Sequence, residues 1–165
     1  MGMENNRQNK TYISSLRKSL KNGIDDRIAE GLTDKQMDAL AQACIFHDCG
    51  RENGGYDPEH GKRSATTYKV YWYLHDDFRY DETAYLAIYY HNLKDEEGIK
   101  AFEEHHLTHD ICVYNVLKDA DALDRYKISD TNLNRSLLRT ETAKSDMMIA
   151  YARVINKFDN DHMYY

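Results

Sequence analysis

Apolar residues recur at every third or fourth position along most of the chain, which is the spacing of a helix with one buried face. The first such stripe runs from Thr11 to Glu30 and consists of Ile13, Leu16, Leu20, Ile24 and Ile28. Gly31 follows it and is typical of a helix end. Thr33 is then expected to cap a second helix, with Gln36 three residues on as its capping-box partner. This second helix should end near Gly50.

The same periodicity predicts the remaining helices. They run from Pro58 or Glu59 to Leu74, from near Asp81 through His91, around Ile99 to Glu103, from about Thr108 to Arg125, and from about Ser136 to Phe158. No segment alternates convincingly between apolar and polar residues, as a half-buried strand would. We therefore predict an all-α fold, a compact bundle of about six helices. Residues 1–10 are polar and are expected to be flexible, and residues 11–165 are expected to form one domain.

The composition of the chain limits the kinds of molecule that this protein is expected to bind. A length of 165 residues suits one domain with one core. The net charge of −6 disfavours binding to a nucleic-acid backbone, which needs a basic surface, but permits a locally basic pocket for a small phosphorylated ligand. No stretch approaches the length of a membrane span. The three cysteines lack a CxxC spacing, so we expect a reducing compartment, the cytoplasm, and no membrane partner.

Polar residues of metal-ligand type interrupt the apolar faces of three predicted helices. The second helix ends in the segment ACIFHDCGR, which contains His47 and Asp48, the fourth contains His91, and the apolar face of the fifth continues to Asp121. A buried carboxylate without a partner costs several kcal/mol, and a cation is the usual remedy. Imidazole nitrogen and carboxylate oxygen together suit Mn²⁺, Mg²⁺, Ni²⁺, Co²⁺, Fe²⁺ or Zn²⁺ without selecting among them.

Each of these residues has a simpler alternative. His47 would also be favoured at a helix C-terminus by the helix dipole, and His91 could be a core histidine bonded to a carbonyl. Asp119 and Asp124 are competitors of Asp121, although periodicity turns Asp121 inward and leaves the other two for surface or interhelical pairs. Three further histidines, in the segment EEHHLTHD, could form an accessory metal cluster, but an exposed loop suits its acidic neighbours better.

Four blocks of the sequence resemble a known family when they are taken in order. FHDCGR, EHGKRSA, AIYYH and LKDADALDR, spread over about Leu32 to Arg139, resemble the HD-domain superfamily of metal-dependent phosphohydrolases. The resemblance implies a compact helical bundle and a divalent metal ion. It implies that His47 and Asp48 are the metal-binding pair and that Asp121 is a further carboxylate ligand.

The resemblance also assigns the later histidines and reveals one departure. His60 and His91 match histidines that bind a second metal in some members and the substrate phosphate in others. Family members usually have another metal histidine upstream of the HD pair, whereas the first 46 residues here contain none, and Ser14 or Ser15 stands in its place. Three interpretations follow: water completes the site, His60 or His91 replaces the ligand, or metal binding has been lost.

Basic residues around His60 predict a phosphate pocket. His60 stands at a predicted helix N-terminus, where backbone N–H groups attract anions. Arg51, Lys62 and Arg63 would neutralise charge on the phosphoryl group, although a solvated basic turn is the simpler interpretation of Lys62. Asp48 or a nearby carboxylate would accept a proton from the attacking water.

The predicted function is therefore hydrolysis of a small phosphorylated substrate by metal-activated water, with nucleotides among the candidate substrates. Monoester and diester cleavage are not distinguished, and no oligomeric state is predicted. The alternative is a catalytically degenerate HD-like domain that binds a ligand or a protein, a hypothesis that the missing upstream histidine motivates. A helical nucleic-acid-binding protein is a third class, which the acidic charge disfavours.

Overall fold

The computed structural model describes residues 31–52, 55–124 and 133–162, and these residues form helices without any strand. The helices are α1 (Asp34–Phe46), α2 (His60–Leu74), α3 (Glu82–Tyr90), α4 (Asp95–Glu104), α5 (Ile111–Asp124), α6 (Glu141–Lys144) and α7 (Asp146–His162). Short 3-10 turns span Thr108–Asp110 and Arg135–Leu137. The all-α prediction is confirmed. The helix predicted over Thr11 to Glu30 lies outside the described residues.

Two predicted helix starts and one predicted helix end have the expected local geometry. Thr33 caps α1 in a capping box, because its Oγ1 accepts from Gln36 N–H at 3.3 Å and Gln36 Oε1 accepts from Thr33 N–H at 3.0 Å. Asp81 caps α3 by accepting from Ala84 N–H at 3.1 Å. Gly31 has a positive φ of 67°, the conformation expected of a residue that terminates a helix.

Helix α3 occupies the centre of the bundle, where it packs against α1, α2, α4 and α5. Ala84, Ala87 and Ile88 on this helix are fully buried, and the two alanines allow the neighbouring helices to approach closely. A second cluster of buried residues lies where the end of α5 meets α6 and α7, and it consists of Leu123, Leu138, Ala143, Met148, Ile149 and Ala152. The C-terminus of α3 is also buried, since its C-cap His91 is 3% exposed.

Two helix boundaries differ from the prediction. The short helix expected around Ile99 to Glu103 begins earlier, at Asp95, where three acidic residues in the first turn favour the helix N-terminus. The last predicted helix, from about Ser136 to Phe158, is divided into a 3-10 turn, α6 and α7. Local caps explain the division, since Thr140 Oγ1 accepts from Ala143 N–H at 3.2 Å and Ser145 Oγ accepts from Met148 N–H at 3.1 Å.

Asp119 fixes the segment between α5 and α6. Its side chain is fully buried and accepts from the backbone N–H groups of Arg139, at 2.9 Å, and of Thr140, at 2.7 Å. The Arg139 guanidinium bridges Asp119 to Asp95 on α4, and Lys118 donates to Asp95 at 2.7 Å. Burial raises the pKa of the Asp95 carboxyl, but hydrogen bonds from Arg139 and Lys118 outweigh burial and hold that pKa below its ordinary value. The cluster ties α4, α5 and the chain before α6 together.

Replacement of Asp119 should destabilise the fold strongly. Asp119→Ala leaves Arg139 without one carboxylate and two buried backbone N–H groups without acceptors, so we expect the free energy of unfolding to fall by about 3 kcal/mol. Denaturation with urea measures the change. The control is Asp146→Ala, which breaks the exposed ion pair between Arg135 and Asp146 at the start of α7 and should lower stability much less than Asp119→Ala does. Equal effects of the two substitutions would show that Asp119 does not clamp the segment.

Candidate metal centre

Three histidines stand at helix ends, and each ring is held in the same way. His47 is the C-cap of α1, His91 is the C-cap of α3, and His60 is the first residue of α2. In each ring Nδ1 lies against the backbone carbonyl three residues earlier. The acceptors are the carbonyls of Cys44, at 3.0 Å, of Asp57, and of Ile88, at 2.8 Å. Because a carbonyl oxygen only accepts, each of these contacts favours a proton on Nδ1, and at His60 the Asn92 Nδ2 group also lies 3.2 Å from that nitrogen.

A neutral ring with its proton on Nδ1 has its lone pair on Nε2, and the three Nε2 atoms converge. The Nε2 atoms of His60 and His91 are 2.9 Å apart. The rings of His47 and His91 pack edge to face with centroids 5.2 Å apart. All three residues are buried, with relative exposures of 3–4%. Two buried nitrogen lone pairs repel each other at such a distance unless a proton or a metal cation lies between them.

The carboxylate of Asp48 lies among these nitrogens. Its Oδ1 is 3.2 Å from His60 Nε2 and 3.7 Å from His91 Nε2, and its Oδ2 is 3.9 Å from His47 Nε2. Burial raises the pKa of Asp48, but the contacts with His60, His91 and His47 outweigh burial and hold this pKa well below its ordinary value. Asp48 is therefore held as an anion, and beyond the Arg51 guanidinium, 3.2 Å from its Oδ1, any further positive charge must come from a histidine or a cation.

His91 cannot readily supply that charge. Its ring is completely buried, and burial lowers the pKa of His91 even though Asp48 lies close enough to oppose the effect. The cluster thus combines an anionic carboxylate with an imidazole whose surroundings favour the neutral form. A divalent cation meets both demands, because it neutralises Asp48 and binds neutral imidazole nitrogen.

Two overlapping groups of side chains have the spacing of metal ligands. One consists of Asp48, His60 and His91, and the other of His47, Asp48 and Asp121; within each group the ligand atoms all lie within 4.8 Å of one another. The second group unites residues from α5 and from the end of α1, as the periodicity of the sequence predicted. Nitrogen and oxygen donors in this proportion suit a first-row divalent metal ion, so the residues fit the cofactor that the sequence predicted.

The loop between α1 and α2 is held by hydrogen bonds that the sequence did not reveal. Gly50 N–H donates to Ser64 Oγ at 2.9 Å, and Arg63 Nε donates to the Gly50 carbonyl at 2.9 Å. Arg63 also pairs with Asp57, whose carbonyl orients His60. Nothing in the sequence identifies Ser64 and Arg63 as the partners of Gly50, or Asp57 as the partner of Arg63.

The basic residues predicted to bind phosphate lie in different surroundings. Arg51 Nε is 3.2 Å from Asp48 Oδ1, within the cluster. Arg63 is engaged with the loop, and Lys62 is exposed and lies 3.9 Å from Glu59. Of the three, Arg51 is the residue that touches the proposed metal ligands. The roles of Lys62 and Arg63 stay predictions.

Gly61 allows α2 to meet the end of α3. A Cβ atom at this position would lie 2.4 Å from Asn92 Oδ1 and 2.6 Å from the Tyr89 carbonyl oxygen. Asn92 in turn donates to the Pro58 carbonyl at 2.8 Å. The absence of a side chain at Gly61 therefore brings His60 to His91. Asn92 is a contributor that sequence reasoning missed, because its amide contacts the chain 34 residues away.

Other candidates from the sequence lie elsewhere. His105 pairs with Glu82 at 3.1 Å, His109 contacts Asp110 at 3.2 Å, and exposed His106 adopts a φ of 57°. Among the described residues, no group with metal-ligand spacing includes these three histidines. Cys44 belongs to the core, as predicted, and burial raises the pKa of its thiol to about 12, which makes it a poor nucleophile.

Comparisons of the chain with protein-family models, with curated proteins and with solved structures found no match. In the part of the chain that the structure describes, no helix is both long enough and apolar enough to cross a membrane. The geometry of the His–Asp cluster therefore carries the functional proposal.

Adding a methyl group at Gly61 should impair cation binding. We expect Gly61→Ala to separate α2 from α3 and to lower the affinity for Mn²⁺ by about tenfold, a typical effect of altering residues behind metal ligands. Isothermal titration calorimetry measures the affinity. Gly98→Ala is the control, because a Cβ atom there would lie 2.3 Å from the Tyr114 hydroxyl, on the surface of α4 that faces α5. If both variants bind Mn²⁺ equally well, Gly61 does not set the histidine spacing.

Proposed function

We propose that this protein is a divalent-cation-dependent phosphohydrolase of the HD type, acting on small phosphorylated molecules. The observation that carries the proposal is the convergence of three imidazole Nε2 atoms on the carboxylate of Asp48, with Asp121 beside it. The four sequence blocks that resemble the HD superfamily contain all five of these residues. The burial and orientation of the histidine rings and the negative charge of Asp48 favour a bound cation. They support the part of the proposal that makes the protein dependent on a divalent cation.

The exposed side of the cluster supports the other part of the proposal, that the substrate is a small phosphorylated molecule. The histidine rings are buried, whereas the side chains of Asp48 and Arg51 are 29% and 32% exposed. A substrate would therefore approach from the side of Asp48 and Arg51. A divalent cation held by this set would supply Lewis acidity, which polarises a phosphoryl oxygen and lowers the pKa of water toward neutrality.

The chain's own residues have separable roles in this proposal. His47, His60 and His91 would present Nε2 to the ion, because the backbone carbonyls orient each ring through Nδ1. Asp48 is shared by the two ligand groups, and Asp121 completes one of them. Asp121 is the better candidate than Asp48 to accept the proton from the attacking water, because the lowered pKa of Asp48 makes it the weaker base. The Arg51 guanidinium stabilises negative charge on the phosphoryl group through donors in a planar fork.

A catalytically degenerate HD-like binding domain is the second candidate. It is favoured by one observation: the first 46 residues contain no histidine where HD-family members usually have a further ligand. Such a domain would bind its ligand or protein partner without turnover. Assays of small phosphomonoesters, phosphodiesters and nucleotides, each with added Mn²⁺, Ni²⁺ or Co²⁺, separate the two candidates.

Removal of either carboxylate should abolish both cation binding and hydrolysis. We expect Asp48→Ala and Asp121→Ala to bind Mn²⁺ at least about a hundredfold more weakly, because each removes an anionic ligand from a site built around the cation. Metal analysis and turnover of p-nitrophenyl phosphate and bis(p-nitrophenyl) phosphate provide the measurements. Asp38→Ala, an exposed position on α1, should change neither.

The possible outcomes decide between the candidates. Full metal content and full activity in either variant would show that the site is misassigned. Cation binding by the wild type without turnover of any substrate, under every ion, would favour the binding domain.

A further inference from the structure

Arg51 contacts the same atoms that a cation would need. Its Nε lies 3.2 Å from Asp48 Oδ1, and its Nη2 lies 3.2 Å from His60 Nε2. Asp48 and His60 belong to the ligand group that His91 completes. The third contact, from Nη1 to the Gly55 carbonyl oxygen at 3.5 Å, is long, so the head group is held mainly by the cluster.

The contact of Arg51 with His60 Nε2 excludes a metal ion from the same nitrogen. A guanidinium has donors and no acceptor, so it can approach a histidine Nε2 only through that nitrogen's lone pair. When the neutral ring of His60 carries its proton on Nδ1, which contacts the Asp57 carbonyl, Nε2 has one lone pair to offer, and the contact of Nε2 with Arg51 Nη2 fits that state. That lone pair can accept from Arg51 or bind a metal ion, but not both.

We propose that Arg51 and a divalent cation compete for Asp48 and His60, and that cation binding releases the guanidinium to bind a tetrahedral oxyanion. This inference rests on the proposed function, since it requires the cluster to bind a cation. It adds a coupling: the ion frees a cationic donor at the exposed edge of the cluster, where a phosphoryl group would arrive. Cation and anion should consequently bind with positive cooperativity.

The neighbouring basic residues cannot take this role without breaking other contacts. Arg63 already donates to the Gly50 carbonyl and pairs with Asp57. Lys62 is exposed and paired with Glu59. Arg51 is partly exposed, at 32% for its side chain, so its head group can leave the cluster without crossing the core.

The competing explanation is that Arg51 positions Asp48 for the metal. The two explanations predict opposite signs. If Arg51 competes, its removal frees Asp48 and His60 and also removes a positive charge, so cation affinity rises. If Arg51 positions Asp48, its removal lets the carboxylate move, so cation affinity falls.

Calorimetric titration of the full chain with Mn²⁺ distinguishes these explanations. We expect Arg51→Ala and Arg51→Gln to bind Mn²⁺ about tenfold more tightly than the wild type, because each removes a charge-assisted contact to a ligand. Arg135→Ala is the matched control, since it also removes an arginine paired with an aspartate but lies outside both ligand groups. Its Mn²⁺ affinity should equal that of the wild type. Circular dichroism establishes that each variant is folded.

Sulfate, a tetrahedral anion that leaves Mn²⁺ in solution, tests the released guanidinium. With Mn²⁺ saturating, the wild type should bind sulfate about fivefold more tightly than Arg51→Ala does. Without Mn²⁺, the two proteins should bind sulfate equally weakly. Equal sulfate affinity in the presence of Mn²⁺ would overturn the role of Arg51 as the anion ligand.

The failure of this inference is distinguishable from the failure of the proposed function. Unchanged or weaker Mn²⁺ binding by both Arg51 variants, with a wild type that binds Mn²⁺, overturns the competition alone. A wild type that binds no Mn²⁺, Ni²⁺ or Co²⁺ overturns the proposed function and the competition together.

Discussion

Three backbone carbonyls determine what this protein can do chemically. Each accepts from Nδ1 of a histidine three residues further along the chain and thereby leaves Nε2 as the only lone pair of that ring. The helix ends then place the three Nε2 atoms around the carboxylate of Asp48. Buried lone pairs facing an anion are unfavourable without a positive charge among them. The proposed cation binding and the proposed phosphate chemistry both depend on this arrangement.

The packing of the helices brings the three histidines and Asp48 together. Alanines on α3 allow α1, α2, α4 and α5 to surround it closely, so that its C-terminal His91 meets residues from both the end of α1 and the start of α2. Gly61 removes the side chain that would hold α2 away. On α5, Asp119 holds the chain that leads to α6, two residues before Asp121 contributes to the cluster. Two acids of one helix thus have different surroundings: Asp119 holds the chain before α6, and Asp121 has ligand spacing to His47 and Asp48.

Sequence periodicity predicted the features that depend on local spacing. The capping box at Thr33 and the cap at Asp81 follow from a few consecutive residues, and both were found. Periodicity misjudged the acids of α5, because Asp119 and Asp124 are buried whereas Asp121, which has ligand spacing to His47 and Asp48, is only partly buried. The division of the last predicted helix was not foreseen, because its cause includes hydrogen bonds from Arg139 and Thr140 to a carboxylate about twenty residues earlier. Local propensity contains no information about a partner at that distance.

The candidate site likewise depends on contacts that the local sequence does not reveal. Histidines on apolar faces could be recognised from spacing and from the resemblance to HD-family blocks. Their common orientation could not, since it depends on which carbonyl each ring meets in the folded chain. The different surroundings of Arg51 and Arg63 likewise arise from the loop between α1 and α2, where Asp57 and Gly50 bind one arginine and Asp48 binds the other.

Anomalous diffraction from crystals grown with Mn²⁺ tests the central claim most directly. The account predicts a strong anomalous peak within bonding distance of an Asp48 oxygen and of the Nε2 atoms of His60 and His91, or of His47 Nε2 and Asp121. All three Nδ1 atoms should remain on their carbonyls. A map without a peak at Asp48, or with Mn²⁺ bound only at the exposed histidines 105, 106 and 109, would contradict it.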